Sequence, residues 1–312
     1  MYHPYFRGKQ NELITVRESA ALMAASNFVP IIEPVKENLN GLKRALDAVV
    51  EVSGSAIVIV NPFHGYFSED GGGLSALLAE HFKENDGISA GVLLKNQMSV
   101  KDVLAFCEVH TDHPLTFIHA GFTDARGLVD ALGKQTNDIL HCFFEADSGK
   151  LYQKHFGTAN KVLVRDGFIR RVSREYPEVE FFSDLHETYE LEGMNGFGDF
   201  LIVGDDYSES GGPAYAVAIH LTFIDGDKDD VMYIYHFVSD RQDTPKDPAG
   251  KFLEALNKLI DKVDEPTSKV LETEAVKEFR ELHQRRHYPG LGYLKKLSMQ
   301  HHVETLANHF SG

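Results

Sequence analysis

A (β/α)₈-type, TIM-like barrel is the fold this sequence predicts, an α/β architecture with an inserted β-hairpin and a C-terminal helical cap. Three observations carry the prediction. Short apolar, β-branched runs alternate with amphipathic stretches of helical length through six successive strands. The runs are almost continuously apolar, the pattern of parallel strands covered on both faces. No Gly-x-Gly-x-x-Gly follows the first run, which weighs against the open, dinucleotide-binding alternative.

Taken in order, Val29 to Pro34 reads as the first strand, and Leu39 to Val52 as a helix with Leu42, Leu46, Val49 and Val50 on one face. Strands are then expected at Ala56 to Val60, Ile88 to Leu94, Leu115 to Ile118, Ile139 to Phe144 and Val162 to Val164. Between them come helices at Leu74 to Phe82, Val100 to Val109 and Ala125 to Leu132, the second capped by Ser99. Phe200 to Val203 and Val231 to Val238 complete the expected barrel, with Glu180 to Phe182 as an extra edge. Tyr215 to Ile224, the Asp225-Gly226-Asp227 turn and Val231 to Val238 read as an antiparallel hairpin, with Gly211-Gly212-Pro213 as the turn before it. Helices are expected at Glu12 to Ala25, plugging the barrel bottom, and at Asp247 to Val263, Lys269 to His283 and Gly292 to His309. The expected division is a barrel over 1–265, including the hairpin insertion near 214–238, and a cap over 266–312 packed on it. Gly71-Gly72-Gly73 reads as a flexible loop.

Composition narrows the function classes. Of 312 residues, 47 are acidic and 31 basic, and the net charge of −16 disfavours nonspecific binding to nucleic acid or to an anionic membrane. Two cysteines, Cys107 and Cys142, are too few for a disulfide framework and read as buried reduced thiols. Neither a signal peptide nor an apolar run of spanning length is apparent, so a cytoplasmic location is expected.

Chemistry is expected where the strands end, because catalytic groups of barrel enzymes converge on the C-terminal face. Glu33 follows the first strand, Asn61 and His64 the second, Lys95 and Asn96 the third, and His119 ends the fourth. Glu145 and Asp147 follow the fifth, Arg165 and Asp166 the sixth, Asp184 and His186 the edge, and Asp205 and Asp206 the seventh. This set suits a metal-assisted hydrolase acting on a phosphoester or another anionic substrate. Glu33, Lys95, His119, Glu145 and Arg165 are the expected catalytic group, and Asn61, His64, Lys95 and Arg165 the substrate-binding group. Glu33, Glu145, Asp184 and Asp205 are the expected ligands of Mg²⁺, Mn²⁺ or Zn²⁺. No fixed ligand spacing accompanies them, and internal ion pairs, Glu33 with Lys95 or Glu145 with Arg165, are the competing use. The His301-His302 pair reads as a solvated helical face, Arg280 to Lys296 as a basic patch, and Arg7, Lys9 and Arg17 as surface charge. The aromatic and acidic content of residues 169–195 permits a lid.

Tyr2-x-Pro4-Tyr5-x-Arg7-Gly8-Lys9-Gln10-x-Glu12, then Val29-Pro30-Ile31-Ile32-Glu33-Pro34, and finally Pro289-Gly290-Leu291-Gly292 with His301-His302, resemble the phage-type "beta protein" family over the whole chain. The resemblance implies a bacterial or phage setting, associated with prophage and defence genes, and no reaction mechanism or catalytic residue. It motivates a second reading: a non-enzymatic binding or accessory subunit of a phage-defence or toxin-neutralising module, with a protein partner encoded nearby. A barrel whose mouth has lost its function is a third.

Overall fold

The structure is a computed structural model and describes residues 1–209 and 215–311. The expected Gly211-Gly212-Pro213 turn lies outside the described residues. Strands in chain order are β1 (Tyr2–Phe6), β2 (Ile31–Ile32), β3 (Ala56–Ile59), β4 (Ile88–Lys95), β5 (Leu115–Ala120), β6 (Leu140–Phe144), β7 (Asn160–Arg165), β8 (Val179–Ser183), β9 (Gly196–Asp199), β10 (Ala218–Asp225) and β11 (Val231–Val238). Helices are α1 (Gln10–Glu18), α2 (Ala20–Ala25), α3 (Asn40–Glu51), α4 (Gly72–His81), α5 (Val100–Val109), α6 (Ala125–Leu132), α7 (Lys150–Gln153), α8 (Leu185–Thr188), α9 (Pro248–Asp264), α10 (Glu274–Arg285) and α11 (Leu291–Phe310). No helix among the described residues is long and apolar enough to cross a membrane.

The chain forms a closed barrel of eight parallel strands in the order β1-β2-β3-β4-β5-β6-β7-β9. Its wall is what the sequence predicts for five strands, β3 to β7, and the helices between them follow the expected spans closely. Its two ends are not. The barrel begins at Tyr2–Phe6, which the polar-looking opening hid, and closes with Gly196–Asp199, not with Phe200 to Val203. Val29 to Pro34 supplies a two-residue second strand. Val231 to Val238 is not a barrel strand at all. It pairs antiparallel with both β10 and β8 in a separate three-stranded sheet.

Two compact units result: residues 1–166 with 188–199, and residues 167–187 with 200–312. In the first, the opening of α4 is fixed by close approach and not by loop freedom. A Cβ on Gly71 would stand 1.8 Å from the Val60 carbonyl oxygen, so the Gly71-Gly72-Gly73 run is the start of a helix packed against a strand end. In the second, the hairpin does not belong to the barrel, as the boundary at 265 supposed. One face, carrying Ile219, Leu221, Phe223 and Phe237, shares a core with Phe252, Leu256 and Leu259 of α9, Val276 and Phe279 of α10, and Leu297 of α11. Asp247 caps α9 by accepting from the Gly250 amide, with Pro248 in the first turn.

Candidate functional site

The C-terminal ends of the barrel strands form two polar groups. The first is built on Glu33, immediately after β2 and fully buried. Its Oε2 accepts from the Tyr5 hydroxyl at 2.9 Å and from Arg7 Nη1 at 2.5 Å. Its Oε1 accepts from the backbone amides of Phe63 and His64 at 2.8 and 3.0 Å. Four donors around one carboxylate take up its acceptor capacity. Tyr5 also packs edge-on against Phe144 at 5.4 Å between ring centroids. β1 and β6 are not neighbours in the wall, so this contact crosses the barrel interior. Arg7, two residues on from Tyr5, shares its face and stacks over its ring.

The segment Pro62–His64 is thereby pinned between strands. Lys95, the last residue of β4, donates from Nζ to the Pro62 carbonyl at 2.8 Å and lies 5.4 Å from the Phe63 ring centroid. Asn61 extends the β3–β4 ladder with its side chain, donating to Leu93 O at 2.9 Å and accepting from Leu93 N at 2.8 Å. Lys95 is only 8% exposed, and among the described residues no carboxylate lies within ion-pair distance of it. Burial pushes its pKa down, opposed by the more distant charges of Glu33 and Glu69. The Phe63 ring beside it is 54% exposed.

The second group is a two-pronged pair. Arg165 Nε and Nη2 donate to Glu145 Oε2 and Oε1 at 2.7 and 2.8 Å. Both side chains keep partial access to solvent.

His119 departs from the expected catalytic role. It lies in an aromatic shell against Phe143 and Phe156, at 4.4 and 4.7 Å between centroids, with no exposed surface. Its protons can be assigned. His141 Nε2 faces the Thr136 carbonyl at 3.0 Å, which only accepts, so Nε2 carries the proton and Nδ1 accepts. His119 Nε2 therefore donates to His141 Nδ1 at 2.9 Å, and His119 Nδ1 accepts from the Tyr152 hydroxyl at 2.6 Å. Every polar atom of the two rings is satisfied with both histidines neutral. Burial, and then His141, hold the His119 pKa well below its ordinary value; burial lowers that of His141 to about 4. This chain of hydrogen bonds is a core device.

Asp184 and Asp205 belong to the second unit, so the first unit's strand ends gather only Glu33 and Glu145 of the four expected metal ligands. Arg7, Tyr5 and Glu12 are the site residues the sequence reading missed. Glu12 accepts from the Arg7 amide and is buried with it. Arg7 is no surface charge, and the signal for it was the Tyr5-x-Arg7 alternation of an unrecognised strand. In the second unit His301 and His302 are fully buried, not solvated: Thr273 Oγ1 and the Thr222 carbonyl lie 2.8 Å from the two nitrogens of His301, and Thr222 Oγ1 lies 3.0 Å from His302 Nδ1. The basic patch is largely neutralised, since Arg280 pairs with Glu272 and Asp264, and Lys296 is buried 3.7 Å from Glu278. Cys142 is buried and Cys107 half-buried, and both are free thiols. No protein-family model, curated protein or solved structure matches the chain.

Proposed function

We propose that the protein is an enzyme acting on a small anionic substrate, a phosphoester or a carboxylate, held at the barrel mouth by Lys95. One observation carries the reading: a buried ammonium at a strand end, hydrogen-bonded to a backbone carbonyl and, among the described residues, with no carboxylate within ion-pair distance. Burying an unpaired charge is costly, and a ligand anion would offset that cost. The exposed Phe63 beside it offers a ring for an apolar or planar part of the ligand. His64, on the same pinned segment, is of the residue type suited to proton transfer near neutral pH.

A metal on the expected carboxylates fits less well. Glu33 has its lone pairs committed to four donors, and Glu145 is clasped by Arg165. Glu33 is better read as the post that positions Arg7 and the Pro62–His64 segment around Lys95. Membership of the phage-type beta protein family, and with it a bacterial or phage setting, belongs to the same proposal and rests on the motifs at the two ends of the chain.

The test is a thermal-shift and turnover series with inorganic phosphate, pyrophosphate, p-nitrophenyl phosphate and dicarboxylates, run on the wild type and on Lys95→Met. Stabilisation by one anion class in the wild type and its loss in the variant is the expected result. Equal behaviour of the two proteins would remove Lys95 from the site. A binding-subunit reading draws on a different observation: β8 is an edge strand of the separate sheet, with Val179 and Phe181 43% and 50% exposed. Co-purification with a product of a neighbouring gene is its test.

A further inference from the structure

We propose that Glu180, His236 and His220 form a proton relay, and that its open end, His220 Nε2, is a base for water or a small alcohol that gives up its O–H proton. All three belong to the second unit, and none takes part in the mouth described above. His220 and His236 are register partners on β10 and β11. They alternate with Ile219 and Phe237, so they stand on the sheet face turned away from the core shared with α9 and α10. Glu180 reaches them from β8. The segment before β8 folds over the group: Arg171 Nη1 and Nη2 donate to Glu180 Oε1 and Oε2 at 2.5 and 2.8 Å, and the Tyr176 ring stacks on His236 at 4.6 Å between centroids.

The protons of the group can be placed. An ionised carboxylate only accepts, so His236 Nε2, 2.9 Å from Glu180 Oε1, carries a proton and His236 Nδ1 holds a lone pair. His220 Nδ1 lies 2.7 Å from that lone pair and donates to it. The remaining lone pair of the neutral His220 ring is therefore on Nε2. Among the described residues this nitrogen meets no hydrogen-bond partner, and it is not closed off from solvent. Here the group differs from the His119–His141 chain, which ends on the Tyr152 hydroxyl with every polar atom satisfied. Burial, then His236 and the charge of Lys295, hold the His220 pKa well below its ordinary value, which keeps the ring in the accepting form.

The step is a proton transfer that balances within the group. An O–H at His220 Nε2 gives up its proton and its oxygen keeps the electron pair. The Nδ1 proton of His220 passes to His236 Nδ1, and His236 becomes an imidazolium beside the Glu180 carboxylate. The positive charge thus arrives where a carboxylate holds it. A base oriented by a second group, itself backed by a carboxylate, is the logic by which triads activate a hydroxyl. His220 would be the catalytic residue, and His236 and Glu180 positioning residues. Phe168 and Tyr176, 5.1 and 4.8 Å from the His220 ring between centroids, flank it with aromatic surface suited to an apolar ligand body.

The experiment is carbethoxylation of the full-length protein by diethyl pyrocarbonate, with the modified histidine located by mass spectrometry. The reagent's carbonyl carbon bonds to Nε2, ethanol and CO₂ leave, and the Nδ1 proton departs through His236, so the rate reads the relay directly. The wild type is compared with His236→Gln and Glu180→Gln. Glutamine at 236 can still accept from His220 and donate to Glu180, but it takes up no proton. The expected result is modification of His220 at least as fast as that of N-acetylhistidine, and at least about tenfold slower in each variant, since a positioned acid–base group contributes about 10²–10⁴-fold. Unchanged melting temperatures show that the variants are folded. No modification of His220 in the wild type, or a rate within tenfold of wild type in a folded variant, overturns the relay. Should a variant melt below wild type, the wild-type rate against pH decides in its place: a level rate from about pH 7.5 to 6 supports the relay, and a fall centred near 6.5, as in a free imidazole, overturns it.

Discussion

Arg7 Nη1 and Glu33 Oε2 are 2.5 Å apart, and their side chains are only 7% and 0% exposed. The pair joins the ends of β1 and β2, and the Arg7 guanidinium sits over the ring of Tyr5. Removing one member strands the other's charge. Glu33→Ala is therefore expected to cost about 3–5 kcal/mol, read as a lowered urea midpoint at constant slope. Arg7→Met with Glu33→Leu removes the stranded charge but leaves the Tyr5 hydroxyl and the Phe63 and His64 amides without their acceptor, so it should recover only part of that loss. A Glu33→Ala protein as stable as wild type would contradict the pairing.

Lys95 predicts the opposite balance. Its ammonium is buried without a carboxylate, so Lys95→Met should leave stability unchanged or raise it slightly while abolishing anion binding. A strong loss of stability in the variant would mean the lysine serves the fold, and chemical denaturation distinguishes the two cases.

Tyr152→Phe deletes the hydroxyl that donates to His119 Nδ1 and leaves a buried acceptor without its partner. The expected cost is about 1–3 kcal/mol. Because His119 is walled in by Phe143 and Phe156, binding at the mouth should not change. A variant that binds anions differently would return His119 to the site.

Acid should weaken the protein in a defined window. Burial lowers the pKa of both His3 and His141 to about 4, against about 6.5 in an unfolded chain. Between those values the unfolded state takes up protons that the folded state refuses. Stability is thus level with respect to these groups above pH 6.5 and falls as pH drops towards 4, by up to about 1.4 kcal/mol per pH unit for each histidine. Denaturation midpoints at pH 7.5, 6 and 5 measure this, and His141→Gln should reduce the slope. A flat profile would sink the assignment.

Gly71→Ala brings a methyl group onto the Val60 carbonyl. The backbone must give way, and a loss of at least about 1–3 kcal/mol is expected in a thermal or urea melt. A neutral result would show that α4 can shift away from its strand.

The legible part of the fold was the part that alternates. From β3 to β5 each strand is a largely apolar run followed by a helix that buries part of its surface, and periodicity finds both, while β6 and β7 show themselves by their apolar runs alone. The closing strand carries no such signal. It is Gly-Phe-Gly-Asp, and its glycines are there because neighbouring chain comes close: a Cβ on Gly196 would meet Met1 O at 2.5 Å, and one on Gly198 would meet His3 O at 2.3 Å. The apolar Phe200 to Ile202 next to it attracted the assignment instead. β1 was hidden by His3, Pro4 and two tyrosines, although its alternation was present. At the mouth, strand ends marked the right positions for Glu33 and Lys95, but spacing along the chain says nothing of which donor meets which acceptor. His119 stands on such a strand end and turns into the wall.

The barrel is sealed by its first and last strands, Tyr2 to Pro4 against Phe197 to Asp199. A ribosome has therefore to deliver nearly two hundred residues before the ring can shut. Until then the nascent chain carries an open sheet with β1 and β7 as bare edges, the form most prone to pair with a neighbouring chain. Between β7 and β9 the chain also detours through residues 167–187, which belong to the other unit. Such long-range closure is slow. A translational pause ahead of residue 199, or a premature stop there, would leave a chain of less than two thirds of the full length that is open along its seam.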